Sequence, residues 1–76
     1  MTPAEDDPTG IHCRLDELLA ERGMTLAALS ELVGVSVVNL SVLKNDRARA
    51  IRYSTLASIC RALDCEVGEL LVIADA

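Results

Sequence analysis

Aromatic side chains are almost absent from this chain of 76 residues, which contains Tyr53 and neither Phe nor Trp. Proteins that bind single-stranded nucleic acid without reading its sequence stack the bases on aromatic rings, so the composition argues against that class. Hydrophobic residues nevertheless make up 51% of the chain. The core must therefore consist of Leu, Val, Ile, Ala and Cys, a set that suits closely packed short helices.

Long apolar runs are missing as well. No stretch approaches the length that spans a bilayer, and the first residues, MTPAEDDPTG, are acidic and unlike a signal peptide. The length fits one domain. We therefore expect a cytoplasmic protein with no membrane partner.

Cysteine occurs in an odd number, as Cys13, Cys60 and Cys65, with no pair at CxxC spacing. In a reducing compartment these are free thiols, and we expect the latter two to act as small core hydrophobes. A zinc site would need His12 and Cys13 to meet the other two thiols, and the spacings match no standard zinc pattern. The sequence thus predicts no metal and no cofactor, and His12 is interpreted as a solvated side chain. No nucleophile with a partner base is indicated, so we expect no enzyme.

Positive charge is scarce overall, because 7 Lys and Arg face 12 Asp and Glu, for a net charge of −5. That balance argues against a nucleic-acid partner for the chain as a whole. However, the segment KNDRARAIR holds Lys44, Arg47, Arg49 and Arg52 against the single acid Asp46. Exposed charges more than about 10 Å apart are largely screened, so this cluster determines the electrostatic potential of the surface next to it. The alternative is that the cluster is only a solvated surface.

Hydrophobic spacing and turn residues predict five short helices and no strand, which gives an all-α fold class. The predicted helices are helix 1 (Ile11–Arg22), helix 2 (from the cap Thr25 to Val33), helix 3 (Val37–Lys44), helix 4 (from Ser54 or Thr55 to Leu63) and helix 5 (Val67–Leu71). We expect residues 1–10 to be a disordered acidic tail, residues 11–73 to form the domain, and residues 74–76 to be a second tail.

The run TLAALSELVGVSVVNLSVLKN is typical of a helix-turn-helix. Gly34 can adopt the left-handed conformation that ends helix 2 and redirects the chain. Ser36 can cap helix 3 with its hydroxyl, and Val35 can pack as a staple beside that cap. In such a motif the second helix enters the major groove of DNA.

The sequence also resembles the Cro/repressor-type (XRE-like) helix-turn-helix DNA-binding domains over about residues 11–73. The run IRYSTLASICRALDCEVGELL resembles one branch of these proteins, the small single-domain bacterial regulators. The matching positions are Cys60, Ala62, Leu63, Cys65, Gly68, Glu69 and Leu70. The resemblance implies a lambda-repressor-like fold of five helices, in which helices 2 and 3 bind DNA.

The resemblance also implies roles for individual residues. Base contacts are expected from the start of helix 3, at Ser36, Val37, Val38, Asn39 and Ser41. Phosphate contacts are expected from Thr25, Lys44, Asn45, Arg47, Arg49 and Arg52. Family members often carry a phosphate-binding Gln where this chain has Leu26, so that contact is missing here.

The valines of helix 3 leave two functions open. As a DNA-reading face, Val37, Val38 and Val42 would contact thymine methyl groups, and the chain would be a sequence-specific transcriptional regulator of double-stranded DNA. As a docking face, they would bind a protein partner, and the chain would be an interaction module that keeps the fold without reading DNA. A homodimer is a further candidate, because Val72 and Ile73 follow the last helix and two-fold operators call for two copies.

Overall fold

In a computed structural model, residues 9–73 are described. They form five helices and two short strands, in agreement with the predicted five-helix fold. The elements are β1 (Ile11–Cys13), α1 (Leu15–Arg22), α2 (Leu26–Val33), α3 (Val37–Lys44), α4 (Tyr53–Leu63), α5 (Val67–Leu70) and β2 (Leu71–Ile73). The predicted tails lie outside the described residues, except for Thr9 and Gly10.

The two strands correct the prediction that the domain contains helices alone. β1 and β2 pair in antiparallel register, with Cys13 opposite Leu71 and Ile11 opposite Ile73. Helix 1 therefore begins at Leu15 rather than Ile11, and helix 5 ends at Leu70. The strands come from opposite ends of the described chain, and a pairing of that kind leaves no local signal in either segment.

Helix ends follow the local signals in the sequence more closely. Gly23 and Gly34 end α1 and α2 with φ values of 62° and 71°, as predicted for glycine in the left-handed region. The Thr25 hydroxyl accepts a hydrogen bond of 3.0 Å from the Ala28 N–H and caps α2. α4 starts at Tyr53, slightly before its predicted start.

The core is aliphatic, as the composition requires. Every helix contributes to it, and its most deeply buried side chains are Leu15, Leu18, Leu29, Leu40, Ile59, Leu63 and Leu70. α2 packs against both α3 and α4, and α1 packs against the same two helices. The buried thiols are Cys13 and Cys60, whereas Cys65 is half-buried. The expectation that Cys60 and Cys65 act as core hydrophobes is confirmed for Cys60, and Cys65 packs against the core. Strand β1 places Cys13 in the core as well.

No single helix among residues 9–73 is long and apolar enough to cross a membrane. By length and composition alone, α2 and α3 together would pass that test, but the pair is bent by 116°.

Candidate nucleic-acid interface

The turn between α2 and α3 is built from local hydrogen bonds. The Gly34 N–H donates to the Ser30 carbonyl at 2.9 Å, and the Ser30 hydroxyl donates to the Val35 carbonyl at 2.6 Å. The Ser36 hydroxyl then accepts from the Asn39 N–H at 3.1 Å and caps α3, as predicted. These bonds hold the two helices at the 116° bend, within the range of a DNA-binding helix-turn-helix.

α3 carries aliphatic side chains on its exposed side as well as on its buried side. Leu40 and Leu43 are buried beneath the helix. Val38 is 71% exposed, and Val37 and Val42 are exposed as well. The three valines therefore lie on the surface of this chain, where a partner could contact them.

A groove of about 800 Å³ runs between α3, the segment that follows it and the first turn of α4. It brings together candidate base contacts and candidate phosphate contacts, namely Ser36, Asn39, Arg47, Arg49 and Arg52. These residues come from α3 and from residues 47–52, which we call the basic loop. Ser36 and Asn39 thus line one groove together with three arginines.

The other sequence-predicted residues lie around this groove rather than among its described lining residues. Val37 and Val38 are on the outer side of α3, Ser41 and Lys44 are half-buried, and Thr25 caps α2. The Asn45 side-chain amide donates to the Ser41 carbonyl at 2.9 Å, which ties it to the end of α3. The carbonyl oxygen of that amide is the atom that could accept a further hydrogen bond.

The end of α3 is fastened to strand β1 through Asp46. One oxygen of its carboxylate accepts from the Cys13 N–H at 2.8 Å, and the other lies 2.8 Å from His12 Nδ1. His12 Nε2 also lies 3.6 Å from the Glu17 carboxylate. The His12 side chain is partly exposed to solvent, as predicted, but the fold also brings it to an acid 34 residues away in sequence, a contact that the sequence did not indicate.

The same contacts shift the protonation equilibria of both partners. The hydrogen bond with Asp46 raises the pKa of His12, with smaller contributions from the charges of Asp46 and Glu17. Partial desolvation of Asp46 acts in the opposite direction, but hydrogen bonds from Cys13 and His12 lower the pKa of Asp46 overall. The pair therefore favours a protonated imidazole beside an ionised carboxylate.

Two other arginines are engaged in the fold. The Arg22 guanidinium donates to the carbonyls of Leu63 and Asp64 at 2.7 and 3.2 Å. Arg14 pairs with Glu17 at 3.2 Å and donates to the Glu69 carbonyl at 3.2 Å. Positive charge next to α3 therefore comes from Lys44 and the basic loop, as the sequence suggested.

Tyr53 is a surface residue that sequence reasoning did not assign to the site. It follows Arg52 directly, begins α4 and is 89% exposed. Thr55, two residues further into α4, lines the groove. The only sequence signal for Tyr53 and Thr55 is their position shortly after the basic segment.

Comparisons with known proteins agree with this architecture. Residues 14–76 match the family described as the Cro/C1-type HTH DNA-binding domain. The uncharacterized HTH-type transcriptional regulator YozG of Bacillus subtilis (strain 168) is 53% identical over 57 residues, which cover 75% of this chain and 68% of that protein. The crystal structure of the clp gene regulator ClgR from C. glutamicum has a TM-score of 0.64 at 36% identity, covering 72% of this chain and 70% of that chain.

These findings confirm the family resemblance and the helix-turn-helix fold inferred from the sequence. The similarity extends over most of the described residues and includes α2, α3 and the basic loop. The chain belongs to the family of Cro/C1-type helix-turn-helix DNA-binding domains.

Proposed function

We propose that this chain is a sequence-specific transcriptional regulator that inserts α3 into the major groove of double-stranded DNA. The observation that carries the proposal is the groove in which Ser36 and Asn39 share an opening with the arginines of the basic loop. Base-edge donors and phosphate-binding cations are both needed on one face for sequence reading, since phosphate contacts position the protein and base contacts specify the site.

Base reading is assigned to the start of α3. An Asn side chain can bond an adenine edge at two atoms, which makes Asn39 the most discriminating candidate. Ser36 and Ser41 can donate or accept, and Val37 and Val38 can contact thymine methyl groups. A face of this composition favours a site that contains A·T pairs.

Phosphate binding is assigned to the residues that flank α3. The arginines Arg47, Arg49 and Arg52 supply charge from the basic loop, and Lys44 adds charge from the last turn of the helix. Thr25 and Asn45 are neutral candidates at the ends of α2 and α3. These contacts orient α3 on the duplex and carry no sequence information themselves.

We further propose that the protein acts as a homodimer in the bacterial cytoplasm. Two copies on a two-fold operator place their recognition helices about 34 Å apart, which doubles the number of bases read. The pair formed by Ile11 and Ile73 is exposed at one end of the small sheet and could contribute to a two-fold contact. Sedimentation of the wild type and of Ile73→Lys tests this: a dimer that the substitution dissociates is expected, and a monomeric wild type contradicts it.

Selection of bound duplexes from a random pool tests sequence reading directly. We expect enriched half-sites related by two-fold symmetry, with A·T pairs in the positions that α3 contacts. Asn39→Ala should relax the preference at one base pair and weaken binding to the selected site by about 1–3 kcal/mol. A pool that shows no enrichment after repeated rounds contradicts sequence-specific binding.

The exposed valines also favour a second candidate function, docking of a protein partner on α3. Val38 on α3 and Leu32 on α2 are both exposed apolar side chains, a residue type found at protein interfaces. If this function is correct, Val38→Lys abolishes partner binding while the wild type binds no duplex even at about 50 mM salt, where phosphate contacts are strongest.

A further inference from the structure

We propose that Asp46 is a positioning residue for DNA contact: its carboxylate joins strand β1 to the end of α3 and so fixes the direction in which the basic loop leaves the helix. The inference rests on the proposed DNA-binding function, because the basic loop supplies the phosphate contacts in that proposal.

The backbone at Asp46 adopts a conformation that few residue types tolerate. Asp46 has a φ of 62°, in the left-handed region that favours glycine. Its N–H donates to the Leu43 carbonyl at 3.1 Å, and the Arg47 N–H donates to the Val42 carbonyl at 2.9 Å. This arrangement closes α3 and turns the chain into the basic loop. Aspartate tolerates this backbone, and Asp64 at the end of α4 also has a φ of 53°, so a reason for aspartate at position 46 in particular must lie in its side-chain contacts.

The side chain provides that reason through its two contacts of 2.8 Å with β1, to the Cys13 N–H and to His12 Nδ1. β1 is itself held by its pairing with β2 and by the Arg14 N–H, which donates to the Leu70 carbonyl at 2.7 Å. One carboxylate therefore connects the last turn of α3 to the only sheet among residues 9–73.

The position of Arg47 shows what this connection controls. Arg47 follows Asp46 directly and lines both the groove beside α3 and a second cavity of about 280 Å³ between the basic loop and the sheet. Apolar side chains of Ile11 and Leu71 line that cavity from the sheet, and Ile51 lines it from the end of the basic loop. The start of the basic loop is thus set by Asp46, and the loop then passes over the sheet.

Charge alone predicts the opposite consequence for DNA binding. Asp46 is the only acid between Lys44 and Arg52, and a carboxylate beside phosphate-binding cations repels DNA. Removing this carboxylate should strengthen DNA binding if the loss of negative charge is the larger effect. It should weaken DNA binding if the loss of the basic loop's placement is the larger effect. The two explanations therefore differ in the sign of the effect.

The test compares Asp46→Gly with Asp46→Asn in binding to a fixed duplex over a range of salt concentrations. Glycine keeps the left-handed backbone and removes both side-chain contacts. Asparagine tolerates the same backbone and keeps an oxygen that can accept from the Cys13 N–H, but it loses the charge. We expect Asp46→Gly to bind about tenfold more weakly than the wild type, as the loss of one or two hydrogen bonds implies. We expect Asp46→Asn to bind at least as tightly as the wild type.

The salt dependence separates positioning from a general loss of stability. Each phosphate contact contributes about −0.9 to the slope of log K against log salt, so Asp46→Gly should show a shallower slope by about one contact. Asp16→Asn is the matched control, because it removes one exposed acid from α1 and should leave both affinity and slope close to the wild-type values. Circular dichroism of each variant establishes that it is folded.

Tighter or unchanged binding by Asp46→Gly would overturn the positioning role. If the wild type binds no duplex at low salt, the DNA-binding function fails instead, and the role of Asp46 is still tested without DNA. In that case amide hydrogen exchange of residues 47–51 should be faster in Asp46→Gly than in Asp46→Asn, and equal rates would contradict the inference.

Discussion

Val38 and Leu40 are both branched aliphatic residues of α3, yet the first is 71% exposed and the second 1%. Their positions on the helix decide this difference, because residues two apart point to different sides. Helical periodicity places Leu40 and Leu43 on one side of α3, and it indicates that Val37, Val38 and Val42 cannot all share that side. Periodicity does not indicate whether a second molecule contacts the exposed valines, because that depends on a surface outside this chain.

Truncation at these two positions should separate stability from binding. Leu40→Ala should lower the free energy of unfolding by about 2–5 kcal/mol, because it leaves a cavity in a buried site. Val38→Ala should change it by no more than about 0.5 kcal/mol and should instead weaken binding to the selected duplex. Urea denaturation gives the first quantity and duplex titration the second; equal destabilisation by both variants would contradict the assignment of the two faces.

The contact between His12 and Asp46 was not predictable because the two residues are remote in sequence. Periodicity and capping rules use neighbours within a few residues, whereas Asp46 is 34 residues away. The sequence distinguishes Asp46 only as the single acid of the basic segment, and nothing local indicates that its carboxylate bonds strand β1.

The contact between these two residues should make stability depend on pH. The pKa of His12 is raised above its ordinary value of 6.5 by the hydrogen bond with Asp46, so the folded state binds this proton more tightly than the unfolded state. The contribution of the protonated His12 to the free energy of unfolding is therefore complete below pH 6.5, and it is lost as the pH rises through the raised pKa. The pKa of Asp46 is lowered from 3.8, despite partial desolvation, by its bonds with Cys13 and His12, so its contribution is complete above pH 3.8 and is lost as the pH falls through the lowered pKa.

Both contributions are therefore present together between pH 3.8 and 6.5. Because His12 is the only histidine, His12→Gln should flatten the decline in unfolding free energy between about pH 6 and 8. The measurement is the urea midpoint at a series of pH values for both proteins. A wild-type midpoint that falls no more steeply than that of the variant would contradict the assigned contact.

Among the secondary-structure elements, the helix ends marked by a capping side chain or a glycine were predictable, and the strands were not. Thr25, Ser36 and the glycines at positions 23 and 34 act within a few residues of themselves, so their roles follow from the local sequence. Strand β1 was assigned to helix 1 because its pairing with β2 and the contact with Asp46 are both long-range. The groove was likewise not predictable, because it depends on how the basic loop folds back beside α3.

Two glycines provide a matched test of helix-end geometry. At Gly34 an added Cβ meets no atom within 4 Å, but φ is +71°, so Gly34→Ala should cost about 1–2 kcal/mol of backbone strain. Gly68 lies inside α5, has open space around it and has no positive φ, so Gly68→Ala should stabilise the protein by about 0.4–1 kcal/mol. Thermal unfolding should shift in opposite directions for the two variants, and a shift of the same sign would contradict this assignment.

Across the chain as a whole, charge is separated rather than balanced. A net charge of −5 coexists with a cluster of Lys44, Arg47, Arg49 and Arg52 beside the exposed side of α3. The sequence revealed the cluster because its members are contiguous. Only the fold reveals that Arg14 and Arg22 are used elsewhere and that the basic loop shares a groove with Ser36 and Asn39.

The salt dependence of binding to a random duplex measures whether this local charge overcomes the acidity of the chain. Four phosphates neutralised by Lys44 and the three arginines of the basic loop predict a slope of about −3.6 in log K against log salt. Arg47→Ala combined with Arg52→Ala should reduce its magnitude by about 1.8, whereas Arg61→Ala, which removes an exposed cation of α4 outside the described lining of the groove, should leave it unchanged. A slope near zero, or equal slopes for the double variant and the wild type, would contradict DNA binding through the basic loop.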